Sequence, residues 1–406
     1  LQNSTIVDIL PPLKGIPVNQ VPAPAAAAQT DVLIVGAGPT GLTLAAALAA
    51  QGVATVVIDA QAEGANTSRA AVVHARTLEV VEPLGVSDRL VALGLQAGRF
   101  TIRDRDRILV PIEFGGLPSR YPYTLMVSQA VTESVLLERA RELGVVVRRP
   151  CALVTSSQDE EGVVATLSDG SQVRARFLVG ADGMHSLVRE QAGIGFDGGT
   201  YGESFVLADV RLEANEAVPR REVILFFSPA GLVVVAPLPD GVHRIVATVE
   251  DAPEQPNAAY VQALLDTRGP QAARAVVREV LWGSRFRVHH RVAQAYRNRR
   301  VVLVGDAAHV HSPAGGQGMN VGMQDAIALA EALIPALAGD DAALDAYEAR
   351  RRPVAQQVVT LADRLTRMAT APRALRGLRN LLLSMLARVP NFRRTLAWRL
   401  SGLVYR

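Results

Sequence analysis

One cysteine, one lysine and two tryptophans in 406 residues set the first limits on this chain. A lone Cys151 excludes an internal disulfide framework and any cysteine-based metal cluster, and it fits a reducing compartment. Its expected place is a small, buried or half-buried position in a strand. Of the 42 basic residues only Lys14 is a lysine, a bias that fits GC-rich coding and points to no partner. No run of about 20 uninterrupted apolar residues occurs, so no helix long enough to cross a bilayer is expected, and the expected location is the cytoplasm. Residues 1–30 lack a basic start and a long apolar core. With Pro11, Pro12, Pro17, Pro22 and Pro24 they read as an extended linker or lead-in rather than a signal peptide.

What the chain does have is apolar content, at 49%, enough for a well-filled core and two or three domains. The net charge of +3 hides an asymmetry: residues 361–406 hold ten arginines against Asp363 alone, about +9, so the remainder is about −6. No nucleic-acid-binding fold accompanies that charge, so no nucleic-acid partner is expected. Helical periodicity over 342–362 and 373–387, with Leu375, Leu378, Leu382 and Met385 at three- and four-residue steps, makes this tail amphipathic. It is expected to pack on the chain's own surface or on a second copy rather than on a membrane.

Asp31 to Val35 is a short apolar run suited to a parallel strand covered on both faces. Gly36-Ala37-Gly38-Pro39-Thr40-Gly41 follows, and then an Ala/Leu-rich helix to Ala50. In a strand-turn-helix of this kind the first glycine permits the tight turn, the second lets backbone N–H groups approach a pyrophosphate, and the third lets the helix pack close to the sheet. The helix N-terminus faces the phosphate charge. A second strand, Thr55 to Ile58, ends in Asp59, placed to accept hydrogen bonds from adenosine ribose hydroxyls. This turn alone leaves FAD and NAD both open.

Two more segments repeat the design. Phe177-Leu178-Val179-Gly180-Ala181-Asp182-Gly183 is a buried strand entering a glycine turn. Val301-Val302-Leu303-Val304-Gly305-Asp306 is another, carried through Pro313-Ala314-Gly315-Gly316-Gln317-Gly318-Met319-Asn320 into a helix expected over 321–337. With all three motifs in order over residues 30–390, the chain resembles the group A flavoprotein monooxygenases, the family of para-hydroxybenzoate hydroxylase and phenol hydroxylase, and is closest to the polyketide-tailoring branch.

That resemblance implies an α/β fold: a Rossmann-like FAD-binding domain (31–194 and 294–340), an inserted β-rich substrate domain (195–293) and a C-terminal helical region (341–406). It assigns Gly36, Gly38, Pro39, Thr40, Gly41 and Asp59 to the ADP half of FAD, and Asp306 to the ribityl chain. Asp182 would serve flavin and nicotinamide, and Pro313, Gly316, Gly318, Met319 and Asn320 would lie at the flavin ring. The glycines of that last loop would let amides at a helix N-terminus approach the pyrimidine edge, where charge develops on reduction. Arg76 is implied as a contact to the FAD phosphates or ribose, and Gln129 as a hydrogen-bonding partner of FAD. Arg69 reads either as a neighbour of the isoalloxazine or as a surface ion pair.

The implied reaction is hydroxylation of a phenolic or polyketide-like ring through a flavin C4a-hydroperoxide, with NADPH or NADH as transient reductant and dioxygen as co-substrate. Simple phenols and heteroaromatics such as quinolones rank below polyketide-like rings as substrates. A Baeyer–Villiger or other flavin oxidoreductase is the alternative, and a non-catalytic FAD scaffold a remote one. The halogenase reading lacks its WxWxIP segment, since Trp282 and Trp398 stand far apart. Phe226, Phe227 and Pro313 are the candidate substrate walls. No catalytic base stands out among His74, His243, His289, His290, His309 and His311, and no metal is expected. The sequence given does not reach a thioredoxin-like extension of the kind some relatives carry, and monomer and homodimer both stay open.

Overall fold

The computed structural model describes residues 28–64, 70–213, 218–228, 230–249, 253–312, 315–369 and 371–406. Along the chain, β1 (Ala28–Val35) turns into α1 (Pro39–Ala49) and returns as β2 (Thr55–Ile58). The short helix α2 (Ala75–Val81) precedes a hairpin, β3 (Arg99–Asp104) and β4 (Arg107–Glu113), and then α3 (Gln129–Glu142). After β5 (Gln172–Gly180) and α4 (Leu187–Gln191) come β6 (Phe196–Leu212), β7 (Glu222–Ser228), β8 (Gly231–Pro237) and β9 (Val242–Val249). Helix α5 (Ala258–Arg268) and β10 (Val277–Ala293) complete that region. The strands β11 (Val301–Leu303) and β12 (His309–Val310) lead to four helices: α6 (Gly318–Leu337), α7 (Ala342–Ala369), α8 (Arg373–Leu386) and α9 (Pro390–Leu400).

The first sheet has a parallel centre in the order β11, β5, β1, β2. Its register decides the site. Ile58 of β2 lies opposite Val35 of β1, Val35 opposite Gly180 of β5, and Gly180 opposite Leu303 of β11. The four carboxyl ends are therefore level, and each glycine or aspartate turn begins at the same sheet edge, where ligands of open parallel sheets bind. Val32, Leu33 and Ile34 are fully buried, each contributing about 1.5–3 kcal/mol relative to exposure. Strand β1 starts at Ala28 rather than Asp31 because residues 28–30 pair with Val173, Arg174 and Ala175, which shortens the expected lead-in. Cys151 is buried, as expected, but precedes the strand Leu153–Gln158 instead of lying in it.

The second sheet runs β12, β10, β6, β9, β8, β7, β3, β4 and is antiparallel except where β7 meets β3. This sheet extends beyond residues 195–293, since β3 and β4 come from within residues 31–194. Edge pairing explains the borrowing, since β7 would otherwise present unpaired backbone groups. One face packs on α5 through Ile224, Phe226, Val233, Val235, Ile245 and Ala247. The other face meets the cofactor domain, where Val223, Ala236 and Leu238 pack with Ala71 and Met126. Arg244 pins the two layers together. It is buried, holds both oxygens of Asp209 at 2.7 Å, and donates to Ala70 O at 2.9 Å.

Among the described residues no helix is long and apolar enough to cross a membrane. The basic tail docks on the chain itself by one edge of α8. Arg379 lies over the Phe227 ring (4.6 Å to its centre) and donates to Phe227 O, while Asn380 donates to Asp104 at 2.7 Å. The opposite edge leaves Leu375, Leu378, Leu381, Leu382, Met385 and Leu386 exposed.

Candidate flavin site at the level strand ends

Gly36 turns at φ +105°, and a Cβ there would collide with the Ala181 carbonyl, so the first and second motifs are in backbone contact. The third arrives through Thr40. A Cβ on Gly305 would lie 2.8 Å from Thr40 Oγ1, and one on Gly322 of α6 would collide with the same hydroxyl. Three segments separated by more than a hundred residues each thus meet at the turn into α1, the second at Gly36 and Gly41 and the third at Thr40. Helix α1 has Pro39 in its first turn, no acidic residue there and no side-chain cap, which leaves its positive end for an anion. Among the described residues, apart from its chain neighbours, nothing stands within 4 Å of a Cβ placed on Gly38, which leaves space beside the backbone there.

The groups present suit an adenine dinucleotide bearing a flavin. Asp59 accepts from Ala37 N at 2.7 Å and Gln61 N at 2.8 Å, which aims its carboxylate across the turn while lone pairs remain for ribose hydroxyls. Arg149 steadies it, 3.6 Å from Asp59 and bonded to Ala37 O at 2.6 Å. Asp182 accepts from Val188 N at 3.1 Å through Oδ2, whereas Oδ1 is buried without a partner among the described residues. Burial pushes this carboxyl up, opposed by hydrogen bonds from Ser186 and Val188. An orphaned buried acceptor at the sheet edge calls for a donor, and a bound hydroxyl would supply one. Asp306 is exposed on the turn after β11, and the first turn of α6 has no side-chain cap.

Asn320, fully buried, shapes the loop of residues 315–320 rather than reaching outward with its side chain. Its Oδ1 accepts from His74 N at 2.7 Å, and its Nδ2 donates to Val72 O at 2.9 Å and Gly316 O at 2.8 Å. Both donors are thereby committed, so only backbone at this position is left for a ligand. His74 Nε2 bonds Gly315 O at 2.9 Å, and burial holds its pKa down to about 4, so the ring is neutral. Behind the loop, Asp325 is fully buried between His309 and Arg351, 2.5 Å from each. This cluster ties β12, α6 and α7 together; His309 stacks on Tyr296 at 6.3 Å, which makes it part of the core.

Several expected contacts find other partners. Arg76 pairs with Glu79 at 3.2 Å, and its N–H donates to Ser401 O, so it braces α2 against the chain's last turn. Gln129 spends its side chain on Ala70 N (3.3 Å) and Glu133 (2.8 Å), bracing the segment that enters the site. Arg69 and Pro313 lie outside the described residues. Phe226 faces α5, on the side away from the cofactor domain, because side chains alternate along a strand. Phe227 faces the side toward the cofactor-binding segments and is packed with Arg379, Leu383 and Leu400. The partly open apolar surface of that face belongs instead to Leu225, Val234, Val246 and Phe286, with Phe205 stacked on Phe286 at 5.7 Å. Sequence reading missed these four, although the same alternation, once anchored by Arg244, would have found them. No group of three or more His, Cys, Asp or Glu able to hold a metal occurs among the described residues.

Comparison with known proteins agrees with this geometry. Residues 29–362 match a family described as FAD binding domain. The 6-methylpretetramide 4-monooxygenase of Streptomyces rimosus is 41% identical over 359 residues, covering 86% of this chain and 63% of that protein. Pentachlorophenol 4-monooxygenase of Sphingobium chlorophenolicum is 35% identical, covering 83% of this chain and 64% of that protein, so the chain spans about two thirds of these relatives. Among solved structures, anhydrotetracycline hydroxylase from Streptomyces rimosus superposes with a TM-score of 0.77 at 35% identity, covering 92% of this chain and 76% of that one. The p-nitrophenol 4-monooxygenase of Pseudomonas putida reaches 0.83 at 26% identity, with 92% and 98% covered. By motif order, fold and relatedness, the chain belongs to the group A FAD-dependent monooxygenases.

Proposed function

We propose that this chain binds FAD across the level strand ends and, with NADPH or NADH and dioxygen, inserts one oxygen atom into an electron-rich aromatic ring, with fused polyketide-like rings ranked first. The observation that carries the reading is the meeting of three motifs at the Gly36–Gly41 turn, where the strand ends are level. Bound there, the flavin would supply the redox and oxygen-transfer chemistry. The chain's own work is positioning and exclusion of water. Gly36, Gly38 and the start of α1 would hold the pyrophosphate, Asp59 the adenosine ribose, Asp306 the ribityl chain, and backbone at Gly318 to Asn320 the pyrimidine edge. A planar substrate would lie against Leu225, Val234, Val246 and Phe286, whose half-buried side chains form a dry wall.

A cationic rim beside Asp182 supports a phosphate-bearing reductant. Arg189 lies over Phe196 at 3.9 Å, and Arg291 and His185 stand near His289, whose pKa is lowered by burial first and then by these neighbours. Relatives named for pentachlorophenol 4-monooxygenation and anhydrotetracycline hydroxylation favour ring hydroxylation over oxygen insertion beside a ketone. The test is NAD(P)H oxidation in air by the FAD-loaded protein, screened over fused-ring phenols, simple phenols and quinolones, with products read by mass spectrometry. A product one oxygen atom heavier, formed with substrate-stimulated turnover, is expected. Peroxide release without any oxygenated product would overturn the proposal.

A further inference from the structure

The turn that follows α9, Leu400–Gly402, reaches back to the start of α6. Leu400 O accepts a hydrogen bond from Gln317 Nε2 at 3.0 Å, and both residues are buried. Gln317 is the N-cap position of α6, the helix whose first turn carries Gly318, Met319 and Asn320. The Leu400 side chain would lie 3.6 Å from a Cβ on Gly315, and Leu365 of α7 would lie 3.8 Å from it. Two further contacts hold this turn in place: Ser401 O accepts from Arg76 N at 3.1 Å, and Arg406 pairs with Glu79 at 2.5 Å. With Nε2 committed to Leu400, the Gln317 Oε1 is left buried and without a partner among the described residues.

The same loop is also held by His74 on Gly315 O and by Asn320 on Gly316 O. The loop therefore has two independent sets of contacts, and only one of them comes from its own helix and the α2 segment. We propose that the Leu400–Gly402 turn is a latch on the flavin loop and that Gln317 is a positioning residue, which fixes the N-terminus of α6 against the flavin by bonding Leu400 O. This inference rests on the reading that residues 315–320 receive the flavin ring. The basic tail then has a role distinct from charge: its last turn completes the cofactor site.

The experiment uses the full chain and two side-chain changes. Gln317→Met keeps the shape and removes the donor. Arg406→Ala loosens the far clasp to Glu79 without touching the loop. FAD affinity is measured by titrating the apoprotein, together with the absorption spectrum and reduction potential of the bound flavin and the melting temperature of the apoprotein. Gln317→Met is expected to weaken FAD about tenfold, equivalent to about 1.4 kcal/mol, and to shift the flavin spectrum and potential. Its apoprotein melting temperature should stay close to that of Arg406→Ala. Gln317→Glu, which places a carboxylate against the Leu400 carbonyl, should weaken FAD at least as much at neutral pH and recover as the carboxyl is protonated. If Gln317→Met binds FAD with unchanged affinity, spectrum and potential, the latch is refuted. Failure of the unaltered chain to bind FAD at all would instead refute the underlying cofactor reading.

Discussion

Exchanging Gly36 and Gly38 for alanine, one at a time, separates two demands that a single glycine motif makes on the chain. At Gly36 the backbone sits at φ +105°, where an L side chain is strained, and the new Cβ would strike the Ala181 carbonyl on the neighbouring strand. Strain of this kind costs about 1–3 kcal/mol, and overpacking costs about another 1–3 kcal/mol. Against a typical total stability of about 5–15 kcal/mol, Gly36→Ala should lower the melting temperature of the apoprotein clearly. At Gly38 φ is −76° and, among the described residues beyond its chain neighbours, no atom lies within 4 Å of the added carbon. Gly38→Ala should therefore leave the apoprotein within about 0.5 kcal/mol of the original. It should instead obstruct the pyrophosphate, and the loss of one hydrogen bond to a charged group, about 1.5–3 kcal/mol, corresponds to roughly ten- to hundredfold weaker FAD. Thermal denaturation of both apoproteins and FAD titration of both provide the comparison. Equal destabilisation by the two changes, or unaltered FAD affinity in Gly38→Ala, would refute the division of labour.

Stability should decline on acidification through the histidine range because His74 is held neutral in the fold. Its pKa is about 4 when folded against 6.5 as the ordinary value, so the unfolded chain binds the extra proton first; the contribution is complete above pH 6.5 and is lost as pH falls toward 4. Gln can still donate to Gly315 O, so His74→Gln should flatten that slope in urea unfolding measured between these values, and an identical slope would count against it. Arg351→Ala leaves Asp325 buried against His309 alone and should destabilise by about 3–5 kcal/mol, read from the shift in denaturation midpoint; a shift near zero would show that the cluster is not held by charge. Val246→Trp should fill the proposed substrate wall and raise KM or abolish turnover while FAD affinity stays constant. Phe226→Leu, on the far face, should cost stability without a change in KM, and the reverse pattern would place the substrate on the α5 side.

The cofactor half of this architecture was legible because its signals are local. A strand, a glycine turn, a helix and an acid at the next strand end can each be read within about thirty residues, and Asp59, Asp182 and Asp306 all fall at the sheet edge the turns define. What sequence could not supply was the register that makes Ile58, Val35, Gly180 and Leu303 level. Side-chain commitments were equally hidden: Asn320 and Gln129 carry the expected residue types, yet the Asn320 amide is spent on the backbone of neighbouring segments and the Gln129 amide on Ala70 N and the Glu133 side chain. Phe226 and Phe227 were chosen together, although adjacent residues of one strand face opposite sides. Strand β10 carries Arg285 and Arg287 at exposed positions either side of Phe286, the alternation of a half-buried strand rather than a continuous apolar run. Helix α5 was missed despite a readable start, Asn257 capping Tyr260 N at 2.9 Å. The contact of Leu400 with Gln317 spans 83 residues and leaves no local trace.

The hairpin β3–β4, taken by the second sheet from between two cofactor-binding segments, makes the two layers inseparable as units of engineering. A chimera that moved only residues 195–293 into a relative would arrive with β7 as a raw edge and without the strand that pairs residues 222–226 in parallel. Specificity swaps in this chain therefore need residues 99–113 to travel with the insert, and evolutionary exchange by recombination would meet the same constraint.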